Sequence, residues 1–179
     1  MISCPRASNT INVMDNRKKE SQPSDDKVRK QQRKDEDYMR KALAEARQAA
    51  AEGEVPVGAI VVCKDHIISR AHNLTETLHD VTAHAEMQAI TAAADALNGK
   101  YLIDCTLYVT VEPCAMCAAA IGWAQVLRLV FGAHDEKRGY HKFAPLVLHP
   151  KTTVTTDILE KECRALMQDF FRERRSFRQ

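Results

Sequence analysis

The 179-residue sequence contains no apolar run approaching the ~18 residues that a membrane-spanning helix requires, which excludes an integral helical membrane protein. Its first residues lack the apolar core of ~7–15 residues that marks a secretory signal. Without such a signal the six cysteines do not read as a disulfide framework; they are expected to be thiols of a reducing cytoplasm, available to a metal. No internal repeat is visible. What remains, with 45% hydrophobic and 28% charged residues, is the balance of one soluble globular domain of ordinary size.

The formal net charge is only +2, but it is unevenly spread. Residues 1–34 carry nine Lys/Arg against four Asp/Glu, residues 35–136 seven against fifteen, and residues 137–179 ten against five. An acidic body with basic ends is a surface on which a polyanion can dock, although solvated surface charge gives the same numbers. Residues 1–34 hold few large apolar side chains and end in a polar run from Lys27 to Lys34. They are expected to form a disordered or partly helical basic tail, with Met14 an alternative start, and the folded domain is expected over 35–179.

Within that domain Met39, Ala42, Leu43, Ala46 and Ala50 recur at helical spacing, and Gly53 stops the pattern. Two extended runs, Val57–Cys63 and His66–Ala71, flank Lys64-Asp65 as a tight hairpin. A second helix is expected from about His84 to Leu97, ended by Asn98-Gly99. Thr106–Val111 reads as a strand rich in β-branched and aromatic residues. Pro113 opens a helix over Cys114–Trp123, where its missing N–H costs nothing. Leu127–Phe131 is a further strand, 133–150 is irregular or weakly helical, and Thr152–Thr156 forms a short strand. Leu159, Cys163, Leu166 and Phe170 line the stripe of a last helix. Strands alternating with helices give an α/β layered domain around a mixed sheet.

Two short segments carry chemistry: His84-Ala85-Glu86 and Pro113-Cys114-Ala115-Met116-Cys117. Cysteines three apart at a helix start converge on one ion, and the positive end of the helix favours the thiolates that bind metal. His84 at another helix start supplies a third ligand. Two thiolates and an imidazole suit Zn²⁺ and leave a fourth position for water, whereas a structural site closes it. Glu86, two residues from a ligand, can reach that water without ligating the ion, take its proton and hand it to a leaving group. The chemistry this fits is hydrolytic deamination. Either segment alone is weak, since a lone His is usually a structural residue and a lone C-x-x-C serves redox or packing. A thioredoxin-like role would leave His84 and Glu86 unused. The two together, in the H-x-E…P-C-x-x-C order of zinc-dependent base deaminases, are far more specific.

From about Tyr38 to Arg175 the chain resembles the bacterial tRNA-specific adenosine deaminases of the zinc-dependent cytidine/deoxycytidylate deaminase family. The resemblance rests on Gly53–Ala59, His72-Asn73, Thr82–Met87, Thr106–Cys117, Phe131–Lys137, Glu162-Cys163 and Asp169–Phe171. It implies a three-layer α/β/α cytidine-deaminase-like fold with a central mixed five-stranded sheet. It also implies conversion of adenosine to inosine at the wobble position of a tRNA anticodon, an arginine tRNA being expected. His84, Cys114 and Cys117 would hold one Zn²⁺ per chain, and Glu86 would shuttle protons. Asn73 would read the purine and Val57 pack on it, while the backbone around Ala85 lines the pocket. Asp135 and Lys137 would lie beside the RNA backbone, and Phe170, Phe171, Arg172, Arg174 and Arg175 on a helix bordering the anticodon loop. The partners implied are the tRNA anticodon loop and a second copy of the chain, with no membrane. A free-base or nucleotide deaminase of the same fold, such as a guanine or cytosine deaminase, is the alternative. Ala119–Gln125 and Gly139–Phe143 depart from the family's common pattern and are expected to lie near the RNA entrance.

Overall fold

The computed structural model describes residues 25–176. The tail expected over 1–34 therefore lies mostly outside the described residues. Its last ten residues are already helical: α1 runs from Asp25 to Ala51, and its first buried residue is Asp35. The exposed part of that helix has no apolar stripe but carries side-chain hydrogen bonds at four-residue spacing, Gln31 to Asp35 and Gln32 to Glu36. Burial begins where the apolar period begins.

The remaining elements follow in the expected order: β1 (Gly58–Cys63), β2 (His66–His72), α2 (Ala85–Ala96), β3 (Cys105–Val111), α3 (Ala115–Trp123), β4 (Arg128–Ala133), α4 (Tyr140–Phe143), β5 (Thr153–Thr155) and α5 (Glu160–Ser176). The β1–β2 hairpin closes through Lys64 and Asp65, both with positive φ (46° and 68°), the conformation that matches strand twist in a two-residue loop. Gly53, at φ 81°, turns the chain out of α1. Leu159, expected within the last helix, instead has φ 53° and precedes it.

The five strands form one mixed sheet in the order β2-β1-β3-β4-β5. Strand β1 is antiparallel to β2 and β3, whereas β3–β4 and β4–β5 are parallel. Alternation along the strands divides the core. Ala59, Val61, Leu107, Val109, Leu129 and Phe131 face α2 and α3, packing with Ala85, Ala89, Ala93, Ala118 and Ile121. Ile60, Val62, Tyr108 and Val130 face α1 and α5, packing with Met39, Ala42, Leu43 and Cys163. The result is the expected three-layer α/β/α arrangement. Gly58 lies so close to α1 that a Cβ there would come 2.1 Å from the Ala42 carbonyl oxygen and 2.4 Å from the Ala46 nitrogen. No helix among the described residues is long and apolar enough to cross a membrane.

One end of this sheet gathers the functional side chains. Strands β3 and β4 finish there, β1 starts there and β2 ends there, so Val57, Asn73, Pro113-Cys114 and the chain after Ala133 converge. Ligands of open α/β sheets collect beyond the carboxyl ends of parallel strands for this reason.

Candidate active site

His84 and Cys114 occupy equivalent places: each is the N-cap of a helix, in extended backbone conformation, with no side-chain capping bond. A capping Ser or Asp would turn inward to the helix N–H groups. These residues leave their side chains free to face one another. His84 Nδ1 lies 3.7 Å from Cys114 Sγ and 3.4 Å from Cys117 Sγ. Zinc with Zn–S ~2.3 Å and Zn–N ~2.0–2.1 Å at tetrahedral angles puts the nitrogen about 3.6 Å from each sulfur. The donor set therefore fits this ion in chemistry and in spacing. None of the five described cysteines is in a disulfide.

The electrostatics are those of three donors in close contact. A hydrogen bond from Cys117, with His84 beside it, draws the Cys114 thiol down to about 4, so it is a thiolate at neutral pH. The same pairing and burial push Cys117 up. Its hydrogen bond with Cys114 holds the His84 ring above the usual range. Glu86, in the first turn of α2, is buried, and burial pushes its carboxyl up despite the favourable charge of His84. A raised carboxyl next to a metal-binding triad suits a group that must hold and release a proton.

His84, Glu86 and Cys114 line a cavity of about 1070 Å³ together with Val55, Val57, Asn73 and Thr75 on one side. The opposite wall comes from the segment after β4 (His134–Arg138) and from α5, through Arg164, Met167, Phe171, Arg172 and Arg175. Val57, Asn73, Asp135 and Lys137 thus all reach the cavity as expected. Ala85 has its side chain fully buried against the sheet, and the residues on either side of it, His84 and Glu86, line the cavity. Asp135 Oδ1 accepts the backbone N–H groups of Lys137 and Arg138, at 2.9 and 3.0 Å, and so shapes its own loop.

On α5, Phe170 is buried and Phe171 faces the cavity. Arg174 parts company with Arg172 and Arg175. Its guanidinium packs 4.8 Å from the Phe170 ring centroid and donates to the Gly53 carbonyl, tying α5 to the end of α1. Of the two departures from the family pattern, Ala119–Gln125 does not line the cavity, because it lies along α3 and its end. In the other, His141 reaches back to Glu112, which does line it.

Sequence reasoning missed Arg138, Arg164 and two buried carboxylates. Glu112, at the end of β3, accepts from the backbone N–H groups of Asp135 and His141 and from the rings of His134 and His141, fixing the loop over the cavity. Glu54, fully buried, does the same for the segment after β2. Both sit at the ends of apolar runs, where a lone Glu reads as solvent-facing.

Known deaminases resemble the chain in sequence and in fold. The MafB19-like deaminase family profile matches residues 33–175. The tRNA-specific adenosine deaminase of Bacillus subtilis is 44% identical over 146 residues, covering 79% of this chain and 91% of that protein. A solved structure from work on A-to-I editing by tRNA:A34 deaminases at the wobble position of transfer RNA superposes with a TM-score of 0.68 at 42% identity, covering 72% of this chain and 96% of that one. A guanine deaminase from Nitrosomonas europaea superposes equally well, TM-score 0.68, but at 26% identity, covering 75% and 83%. Sequence kinship, which separates the two where shape does not, decides: the chain belongs to the tRNA-specific adenosine deaminase family of hydrolytic enzymes.

Proposed function

We propose that this enzyme converts adenosine to inosine at the wobble position of a tRNA anticodon, an arginine tRNA being the expected substrate. The observation that carries the reading is a single one: His84, Cys114 and buried Glu86, with Cys117 packed behind them within ligand distance, line a wide cavity whose wall also carries Lys137, Arg138, Arg164, Arg172 and Arg175. A pocket built for a free base would close over it. This one is wide, and its wall sets five cations beside Glu112, Asp135 and Glu136, so that a phosphate strand can find partners along it.

His84, Cys114 and Cys117 would hold one zinc ion, which supplies Lewis acidity to activate water and polarise the base. Glu86 passes on the two protons of the attacking water, one to ring N1 and one to the amine, which leaves as ammonia, a task for which its raised carboxyl is suited. Val57 packs against the base and Asn73 reads its edge. The wobble nucleotide must leave its stack to enter, which costs least in a single-stranded loop. The backbone near Asp135, with Lys137, Arg172 and Arg175, receives the flanking phosphates.

The reading includes a homodimer and a cytoplasmic enzyme. Trp123, Phe143 and Leu146, on α3, on α4 and just after it, are 84%, 60% and 95% exposed, and apolar side chains this open mark a face that a second copy can cover. The test is to incubate purified protein with tRNA and sequence the anticodon: adenosine read as guanosine at the wobble position supports the reading. Release of ammonia from guanine or cytosine, with tRNA unchanged, would replace it by a free-base deaminase.

A further inference from the structure

Asn73 does not have both ends of its amide available. Its Nδ2 lies 2.9 Å from Glu54 Oε2 and 2.9 Å from Thr75 Oγ1. A carboxylate only accepts, so the atom facing Glu54 must be the nitrogen. Thr75 Oγ1 is itself 3.4 Å from Glu54 Oε2, so its hydroxyl proton goes to Glu54 and its lone pair takes the second Nδ2 proton. Both amide protons are spent. Asn73 Oδ1 has no partner among the described residues, yet no described side-chain oxygen is buried without one, so Oδ1 opens to the cavity that Asn73 lines.

Glu54 is held as firmly as it holds. It is fully buried and also accepts the backbone N–H groups of Glu76 (3.2 Å) and Thr77 (2.7 Å). Burial raises its carboxyl, but these donors outweigh burial and keep it below the usual range, so it stays an ionised, acceptor-only group.

We propose that Glu54 is a specificity-determining positioning residue: it locks the Asn73 amide so that the base meets a hydrogen-bond acceptor and never a donor. The proposal rests on the assignment of adenosine as substrate. The only N–H on an adenine base is its exocyclic amine, the group that deamination replaces with a carbonyl oxygen. The acceptor that holds the substrate amine therefore faces the new carbonyl oxygen once inosine has formed; the N–H that inosine gains lies at N1, one atom further round the ring. Glu54 makes the subsite favour substrate over product without touching either.

The test inverts the amide. In Glu54→Gln an Nε2 seated on the Asn73 side turns the Asn73 Oδ1 inward and its Nδ2 to the cavity, a flip that loss of protection of the Asn73 amide protons in the variant reports. KM for an anticodon stem-loop with adenosine at the wobble position should rise about tenfold, the worth of one lost hydrogen bond, with kcat within about twofold. Inhibition by the inosine stem-loop should strengthen. Adding Asn73→Asp restores an acceptor facing the base, with the introduced glutamine amide donating to it, and should return KM and inosine inhibition towards wild type. A purely structural Glu54 would lower the melting temperature without changing the ratio of adenosine to inosine affinity, and that result, or a double variant no better than the single one, overturns the proposal. A measurement on the unaltered protein decides it should Glu54→Gln fail to fold: both Asn73 side-chain amide protons should be protected from exchange, and free exchange overturns it. Wild-type protein inactive on the adenosine stem-loop would instead overturn the functional reading, and is seen before any variant is made.

Discussion

Asp35 on α1 and Arg128 at the start of β4, 93 residues apart, are joined by two parallel hydrogen bonds of 2.7 Å, and Tyr108 on the intervening strand donates to the same carboxylate at 2.8 Å. Asp35 is nearly inaccessible. Burial opposes its ionisation, yet Arg128, Tyr108 and Gln31 together hold its carboxyl below the usual range. The ionised form therefore stabilises the fold at pH above the ordinary carboxylate value of about 4, and that stability is lost as pH falls through it towards the lowered native value. Asp35→Ala, which strands the Arg128 charge, should cost about 3 kcal/mol at pH 7 by urea unfolding. Asp35→Asn should show a flatter stability curve between pH 5 and pH 2 than wild type; parallel curves would show that Asp35 contributes no linkage.

Metal and fold should be lost together. Elemental analysis of protein purified without chelator should find about one zinc per chain, because the two thiolates and one imidazole favour it over magnesium or calcium. Cys114→Ser should lose the metal and melt at lower temperature, since ligation at two helix starts joins α2 to α3. Absence of zinc, or iron in its place, would defeat the assignment.

Glu86 separates catalysis from ligation. Glu86→Ala should keep zinc and melting temperature but lose at least about 10²-fold in deamination of the stem-loop, the usual loss of a general acid–base group. Substantial residual turnover would leave the metal site standing and remove the proton shuttle.

The cavity rim should show itself through salt. Neutralising Arg172 and Arg175 should weaken stem-loop binding and flatten its dependence on salt concentration, because fewer counterions are released, with kcat at saturation nearly unchanged. Arg174→Gln should leave the salt slope alone and lower the melting temperature instead, since that side chain binds the Gly53 carbonyl and Phe170. Equal slopes for wild type and the double variant would make Arg172 and Arg175 ordinary solvated charges.

How much of this was legible in the sequence follows from range. The triad could be read because Cys114 and Cys117 are one helical turn apart and His84 and Glu86 straddle one residue, so local spacing sets the geometry within each half, while the sheet brings the two halves together across 30 residues. Apolar and β-branched patterning placed the strands and the helices α2, α3 and α5 to within a few residues for the same reason. The polar start of α1 escaped because its stabilising pairs, such as Gln31 with Asp35, leave no apolar trace. Glu54 and Glu112 escaped because what makes them structural is distant backbone: N–H groups of residues 76 and 77 for one, of 135 and 141 for the other. Arg174 was grouped with its neighbours because sequence shows its charge but not the direction of its side chain.

Strand β5 ends one side of the sheet after only three residues, Thr153 to Thr155, and at the other edge β2 carries exposed His66 and Arg70. A long, flat, apolar border would invite a strand from another chain to pair with it, the first step of amyloid-like growth. A three-residue border offers too few open peptide groups to template such growth, and a border bearing charge repels it. The same sheet that spreads a wide open cavity at one end is thereby protected along both flanks against self-propagating aggregation.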